Sequence, residues 1–185
     1  SSGVSGHGIT TVDRLGAAGY DAGECTASFG GTSSATPLAA GLIALMLEAR
    51  PELTWRDVKH VITKAATPVH WGDPEAQWHT NSMGYSHSPL YGFGLLIAPK
   101  LVDMARTHVL VPPIFRTYQS GMRPVRNGVI PHMVVHTVNR ADTQNITFIE
   151  HVMLTITLTH EKRGHVRITL ESPEGTVSEM APVRP

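Results

Sequence analysis

The sequence of 185 residues has little of what usually identifies a binding partner or a compartment. Fifteen Lys and Arg balance fifteen Asp and Glu, so no net charge would attract nucleic acid, and we expect no nucleic-acid partner. The single cysteine, Cys25, cannot form a disulfide within the chain. The longest apolar run, residues 37–47, is shorter than the ~20 residues that cross a bilayer, which predicts no transmembrane segment in this stretch.

The start of the sequence also lacks an initiator Met, a charged leader and an apolar leader, which predicts an internal fragment of a longer protein. Because 41% of the residues are hydrophobic, the chain can bury the core of one domain or of two small ones. The 17 Gly and 13 Pro favour a loop-rich globular structure. The eleven His are scattered rather than clustered and indicate no metal site by themselves.

Helical patterns dominate the first part of the chain. A short strand is possible at residues 8–12 in an otherwise loop-like start, and residues 33–50 then carry apolar side chains on every face of a helix. A helix of that kind is usually buried on all sides. Pro37 fits its first turn, and Pro51 ends it.

Two further helices follow. Thr54 is a good N-cap, and Asp57 stands at the third helical position, close to the capping-box pattern. The next residues carry an apolar face with helical spacing, formed by Val58, Val61, Ile62 and Ala65. After an irregular stretch at 67–95, residues 98–106 favour a third, short helix.

The pattern changes to period two beyond a stiff linker that contains Pro112 and Pro113. Apolar residues alternate with polar ones over 152–158 and 166–170, which predicts a hairpin that turns at 161–164. Another strand is expected at 131–138, and Ser172-Pro173-Glu174-Gly175 is a turn signal. The second part of the chain is therefore predicted to be an incomplete all-β unit.

The segment from Gly31 to Pro37 places serines on the turn that opens the long helix. Free N–H groups and the positive end of the helix dipole are found at such a turn. A hydroxyl held there could attack a carbonyl while nearby N–H groups stabilise the oxyanion. The alternative is that Ser33 or Ser34 only caps the helix.

Gly31-Thr32-Ser33-x-Ala35-x-Pro37 resembles the nucleophile segment of the subtilisin-like serine proteases. Several further segments are similar to the kexin/furin proprotein convertases or to their P (homo B) domain: 37–49, 53–58, 86–87, 91–96, 150–151, 163–164 and 170–176. The resemblance implies the C-terminal part of a doubly wound α/β catalytic domain over residues 1–108. The incomplete start of a β-sandwich P domain would then cover residues 109–185.

The resemblance also implies the roles of individual residues. Ser33 would be the nucleophile, with Gly31 and Thr32 beside the oxyanion site, and Cys25 would pair with a cysteine that lies upstream. Because subtilisin-like enzymes order their triad Asp, His, Ser, the Asp, the His and the oxyanion Asn would precede residue 1. The 185 residues alone are therefore expected to be inactive. Phe29 departs from the histidine that convertases usually carry at that position.

The parent protein implied by this resemblance is a serine endopeptidase that cuts precursor proteins after paired basic residues through an acyl-enzyme. It would need calcium, held mostly by upstream ligands, and it would interact with its own propeptide. Its location would be the secretory pathway, in the Golgi, in a later compartment or outside the cell. The cysteine pair that P domains often carry early is absent here. This absence weakens the argument that disulfides indicate a secreted location.

Other interpretations stay open. The chain could be a catalytically silent interaction module, or a cytosolic hydrolase in which Cys25 is reduced. Asn145 begins a glycosylation pattern, and His132 with His136 could form a metal pair, although they lack a third ligand nearby and we predict no metal site. Trp55 and Trp78 are interpreted as packing residues rather than ligand platforms.

Overall fold

The computed structural model describes residues 8–113, 118–122, 124, 133–139, 141 and 149–184. The chain divides into two compact units, one of residues 1–111 with 171–176 and one of residues 112–170 with 177–185. The elements in chain order are β1 Ile9–Val12, β2 Cys25–Phe29, α1 Thr32–Ala49, α2 Trp55–Ala65, β3 His79–Thr80, β4 Ser86–His87, α3 Ala98–Thr107, β5 Ile168–Glu171 and β6 Val177–Ala181. Short 3₁₀ turns lie between several of them.

The first element pair is an antiparallel hairpin of β1 and β2. Ile9 pairs with Phe29 and Val12 with Cys25, and the register shifts between them. A strand near residues 8–12 was expected from the sequence, whereas β2 was not, because its small polar residues show no clear alternation. The pairing with β1 holds β2 in place, and β2 leads into the start of α1.

Helix α1 forms as the sequence predicts, but its surroundings differ from the expectation. Only Ser34 and Met46 are buried, while Leu38 is 59% and Leu45 is 50% exposed. Within residues 8–113, α3 is the helix that packs broadly against α1, so one face is covered and the other faces are not. Pro37 lies inside the helix rather than in its first turn, so the carbonyl of Ser33 has no helical N–H to accept.

By length and composition α1 is the one helix among the described residues that could cross a membrane. The core helix of a globular domain meets the same criteria, so this property is weak evidence for a membrane span.

The core of the first unit lies where the three helices meet. Helix α3 contacts both α1 and α2. The fully or nearly fully buried apolar side chains there are Met46, Leu53, Val61, Ala65, Leu101 and Ala105. The apolar face predicted for α2 and the short third helix are both confirmed, and α2 ends at Ala65, before Pro68.

The carboxylate of Asp57 is fully buried and joins the start of α2 to the chain that follows α3. Its Oδ2 accepts from the Thr54 N–H at 2.9 Å, which completes the predicted capping box. Its Oδ1 accepts from Nε2 of His108 at 3.0 Å and from the Val111 N–H at 2.7 Å. Arg50 adds hydrogen bonds to the carbonyls of Ala105, at 3.2 Å, and of His108.

These hydrogen bonds decide the charge state of Asp57. Burial by itself raises the pKa of the carboxyl, but donors from Thr54, Val111 and His108 outweigh burial and lower the pKa well below its ordinary value of 3.8. Asp57 is therefore an ionised group in the interior, stabilised by directed donors instead of water.

The β region beyond the linker differs from the predicted arrangement. Residues 149–160 are not in a strand, and residues 163–165 form a 3₁₀ turn, so the hairpin predicted around 161–164 is wrong. Instead β5 pairs with β6 across the expected turn, where the Gly175 N–H donates to the Ser172 carbonyl at 2.9 Å. The described part of the strand expected at 131–138, residues 133–138, is also not a strand. Alternation defines the two faces of a strand but not its partner.

We predict that Asp57→Asn destabilises the protein by about 3 kcal/mol, because the variant leaves buried donors without their charged acceptor. The urea midpoint near neutral pH measures this loss. The matched control is Asp103→Asn, which removes an exposed carboxylate paired only with Arg106 and should cost less than about 1 kcal/mol. Equal midpoints for the two variants would contradict the role of Asp57.

The same variant has a defined pH dependence. The folded protein holds the pKa of Asp57 below 3.8, so the stabilisation is complete above that pH and is lost as the pH falls towards the folded value. The difference in stability between wild type and Asp57→Asn should therefore narrow in urea titrations below about pH 4.

Candidate active site

Two glycines, Gly30 and Gly31, connect strand β2 to the helical turn that contains Ser33. Gly31 is the N-cap of α1, has a φ of +79° and makes no side-chain cap. This left-handed conformation is costly for any residue with a Cβ and free for glycine. Gly31 therefore sets the sharp entry that brings Thr32 and Ser33 to the first turn of the helix.

The structure separates the roles of the two adjacent serines. The side chain of Ser34 is buried, and its Oγ donates to the Gly31 carbonyl at 2.9 Å. Ser33 is exposed, and its hydroxyl has no hydrogen-bond partner in the part of the chain that the structure describes. Of the two alternatives left by the sequence, a local structural role thus applies to Ser34 and not to Ser33.

The backbone around Ser33 leaves N–H groups available. The N–H groups of Ser34 and Ala35 donate to the Gly31 carbonyl at 3.2 and 3.4 Å, whereas those of Thr32 and Ser33 donate to no group among the described residues. Such unpaired N–H groups carry the positive end of the helix dipole. An oxyanion that forms at Ser33 would find donors at this position.

A general base for Ser33 is not found within residues 8–113: no histidine there makes a hydrogen bond to its hydroxyl. The described residues also contain no group of three or more His, Cys, Asp or Glu that could hold a metal ion. The site therefore consists of a presented hydroxyl and its N–H donors.

The loop between β1 and β2 is folded around one carboxylate that sequence reasoning did not identify. The Asp13 carboxylate accepts from the N–H groups of Arg14, Tyr20 and Asp21 at 2.7, 2.7 and 2.9 Å. The bond from Asp21 is the largest cause of a lowered pKa of Asp13. The ring of Tyr20 meets the ring of Phe29 edge-on at 6.1 Å, so the loop places an aromatic pair at the end of β2, just before the glycines.

The Ser-His segment that resembles the convertases, Ser86–His87, is strand β4, and the turn that follows it is held by Ser88. Ser88 is fully buried, its Oγ accepts from the N–H groups of Leu90 and Tyr91 at 3.1 Å, and it donates to the Ala76 carbonyl. His87 is exposed and meets Phe93 edge-on. A Cβ at Gly94 would collide with the backbone of Thr67, which explains that glycine.

The remaining predicted residues are spread over the chain. Cys25 is exposed and has a free thiol. Asn145 and His132 lie outside the described residues, while His136 stacks on Tyr118 with ring centroids 6.2 Å apart. Trp78 is half-buried as expected, whereas Trp55 is exposed instead of packed.

Comparison with known proteins gives two family matches and several relatives. The Subtilase family model matches residues 5–94, and the Proprotein convertase P-domain model matches residues 149–185. Proprotein convertase subtilisin/kexin type 7 of Mus musculus is 43% identical over 160 residues, covering 83% of this chain and 20% of that protein. Type 4 of Homo sapiens is 39% identical over 170 residues, covering 87% and 21%. Type 5 of Rattus norvegicus is 39% identical over 163 residues, covering 85% and 9%.

A solved structure agrees at the level of fold. The serine protease of Aeromonas sobria in complex with the chaperone superposes with a TM-score of 0.60 at 23% identity, covering 86% of this chain and 30% of that one. The chain thus spans about a fifth or less of the length of these curated relatives.

The two serines should respond differently to truncation. We expect Ser34→Ala to cost about 1 kcal/mol of stability through the loss of its bond to the Gly31 carbonyl. Ser33→Ala should stay within about 0.5 kcal/mol, because its exposed hydroxyl supports no described contact. Urea unfolding of both variants beside the wild type measures this. A larger loss for Ser33→Ala would show that its hydroxyl has a structural role after all.

Proposed function

Since the chain belongs to the subtilisin-like proprotein convertases, we propose that the full-length protein is a serine endopeptidase with Ser33 as its nucleophile. The resemblance expected from the sequence is confirmed, and so is the fold class, a part of a subtilisin-like domain followed by the beginning of a P domain. The observation that carries the proposal is the exposed Ser33 on the first turn of α1, two residues after Gly31 with its positive φ.

In the proposed reaction, the Oγ of Ser33 attacks the scissile carbonyl and forms the bond of an acyl-enzyme as the amine leaves. The unpaired N–H of Ser33 donates to the developing oxyanion. The proton of the hydroxyl passes to a histidine and from it to the leaving amine. That histidine, its Asp partner and the oxyanion Asn belong to the part of the protease domain outside these 185 residues, so the chain alone should be inactive.

The exposed apolar side chains of α1 support this assignment. Leu38 and Leu45 stand half or more in solvent, although the helix has an apolar composition on all faces. The curated relatives are about five or more times longer than the matched segment. We propose that the rest of the protease domain covers these faces of α1 in the full-length protein, which would also bring the general base to Ser33.

Membership of the convertase family supports finer proposals about substrate and location. We propose cleavage of precursor proteins after paired basic residues, interaction with the protein's own propeptide, and residence in the secretory pathway. Cys25 would pair with a cysteine outside these residues, and Asn145 could carry a glycan. We also propose a calcium requirement, which the family implies, with ligands that lie mostly upstream of these residues.

We also propose that the boundary between the two domains in the sequence lies after residue 108. The proposed limit lies close to Val111, where the continuous part of the first compact unit ends. It also lies between the two family matches, which end at residue 94 and begin again at residue 149.

A fluorophosphonate probe tests the nucleophile. The probe should label the full-length protein at Ser33, as mapped by mass spectrometry of the digested protein, because only an activated serine reacts with it. Ser33→Ala should abolish labelling, and Ser34→Ala should retain it. A folded full-length protein that takes up no probe would favour a catalytically silent interaction module.

Peptide cleavage tests the proposed specificity. We expect the full-length protein to cut a fluorogenic peptide with Lys-Arg before the scissile bond at least about 100-fold faster, in kcat/KM, than the matched Ala-Ala peptide. Such a ratio corresponds to about 2.7 kcal/mol of transition-state binding. Equal rates for the two peptides would rule out selection of basic pairs while leaving the nucleophile untouched.

A further inference from the structure

A cleft of about 320 Å³ lies in the loop that precedes β3, well separated in sequence from Ser33. The residues that line it are Trp71, Gly72, Asp73, Pro74, Gln77 and Trp78. The cleft is shallow and open to solvent, which suits one flat group rather than a large ligand. We refer to these six residues as the Trp71–Trp78 cleft.

One wall of the Trp71–Trp78 cleft belongs to a column of near-parallel rings. The Trp71 and Trp78 rings have centroids 5.7 Å apart and planes at 24°, and Trp78 continues to Tyr91 at 6.3 Å and 12°. Nε1 of Trp78 donates to the Val69 carbonyl at 2.9 Å, which fixes that indole. Trp71, at the end of the column, is 58% exposed. The protein thus presents a large aromatic surface to solvent on a supported base.

The backbone of this loop is held in an uncommon shape. His70 and Gln77, at its two ends, have φ values of +50° and +47°, in the left-handed region that residues with a Cβ seldom adopt. The Asp73 N–H donates to the His70 carbonyl at 3.0 Å and closes the turn between them. The backbone on one side of the cleft, from His70 to Asp73, is therefore held by a hydrogen bond within the chain.

The cleft also carries negative charge that no neighbour neutralises. Oδ1 of Asp73 accepts from the Glu75 N–H at 2.9 Å, and its Oδ2 accepts no hydrogen bond from the described residues. Neither Asp73 nor Glu75 forms an ion pair within that part of the chain, and both are exposed. A cation stacked on an indole beside such carboxylates gains from both the ring and the charge.

A second exposed tryptophan shows what the Trp71–Trp78 cleft lacks. Trp55 is 64% exposed, and Nζ of Lys59, one helical turn further on, lies 4.8 Å from its ring centroid. The described residues supply no such cation to Trp71. The chain thus covers the ring of one exposed tryptophan with a cation of its own and leaves the other uncovered.

We propose that the Trp71–Trp78 cleft binds the guanidinium group of an arginine side chain in a peptide partner. A guanidinium is flat, so it can stack on an indole, and one of its N–H groups can donate to Oδ2 of Asp73. Lysine has the charge without the plane, and a neutral planar group has the plane without the charge. This inference does not depend on Ser33 or on cleavage.

The test uses the full-length protein labelled with 5-fluorotryptophan, in which the ¹⁹F resonance of Trp71 is identified by its loss in Trp71→Phe. We expect the blocked peptide acetyl-Gly-Arg-Gly-amide to shift that resonance in a saturable manner. The same peptide with citrulline, which keeps the planar shape but has no charge, should bind at least about tenfold more weakly, since one charge-assisted pair contributes 1.4 kcal/mol or more. The lysine peptide should also bind more weakly.

Matched variants separate the cleft from general electrostatics. Asp73→Asn preserves the hydrogen bond to the Glu75 N–H and should weaken arginine-peptide binding about tenfold. The variant Trp71→Ala is made in the Ser33→Ala background, which prevents turnover, and is measured by calorimetry. It should lose the component of arginine-peptide binding that shifts the Trp71 resonance in the protein with Trp71. Trp55→Ala and Asp103→Asn should leave it unchanged. A Trp71 resonance that does not move with the arginine peptide, equal binding of the citrulline peptide, or equal losses for Asp73→Asn and Asp103→Asn would each overturn the proposal.

Discussion

The helical unit depends on one buried carboxylate. Asp57 closes the capping box that starts α2 and, with its other oxygen, receives His108 and Val111 from the chain after α3. Hydrophobic contacts among the three helices are non-directional and would tolerate several arrangements. A buried anion permits fewer arrangements, because its burial is stable only when all of its hydrogen-bond donors are in place. The exit of the chain from α3 is thus set by hydrogen bonds, while the apolar core fills the space between the helices.

The entry to α1 relies on a different constraint, the conformational freedom of one glycine. Gly31 turns the chain with a positive φ, and its carbonyl then accepts from the hydroxyl of Ser34 and from the N–H groups of Ser34 and Ala35. The two serines that follow are chemically identical, and only their positions on the turn separate them. The hydroxyl of Ser34 closes the turn, and Ser33 is exposed.

Local patterns in the sequence were sufficient for the helices and for the motif, and insufficient where partners lie far along the chain. The capping box of Thr54 and Asp57 was predictable because both residues lie within one turn. The bonds from Asp57 to His108 and Val111 span more than fifty residues and leave no local signal. For the same reason the alternation at 152–158 and 166–170 predicted two paired strands, whereas residues 149–160 are not in a strand and β5 pairs with β6. The Asp13 loop was missed because its donors are backbone N–H groups, which every sequence has.

The composition of α1 connects the fold to the proposed chemistry. A helix that is apolar on every face gains its stability from neighbours on every side. In this chain α3 supplies one side, and Leu38 and Leu45 remain in water at a cost of roughly 25 cal/mol for each Å² of apolar surface. Ser33, on the same helix, lacks a base within the described residues. A cover for the exposed faces of α1 and the missing base would both be supplied by the rest of the protease domain. A segment that buries the open faces of α1 also excludes water from its first turn, where the helix dipole and free N–H groups stabilise an oxyanion best. The proposed covering of α1 by the rest of the protease domain would therefore also dry the position at which the proposed nucleophile, Ser33, has to react.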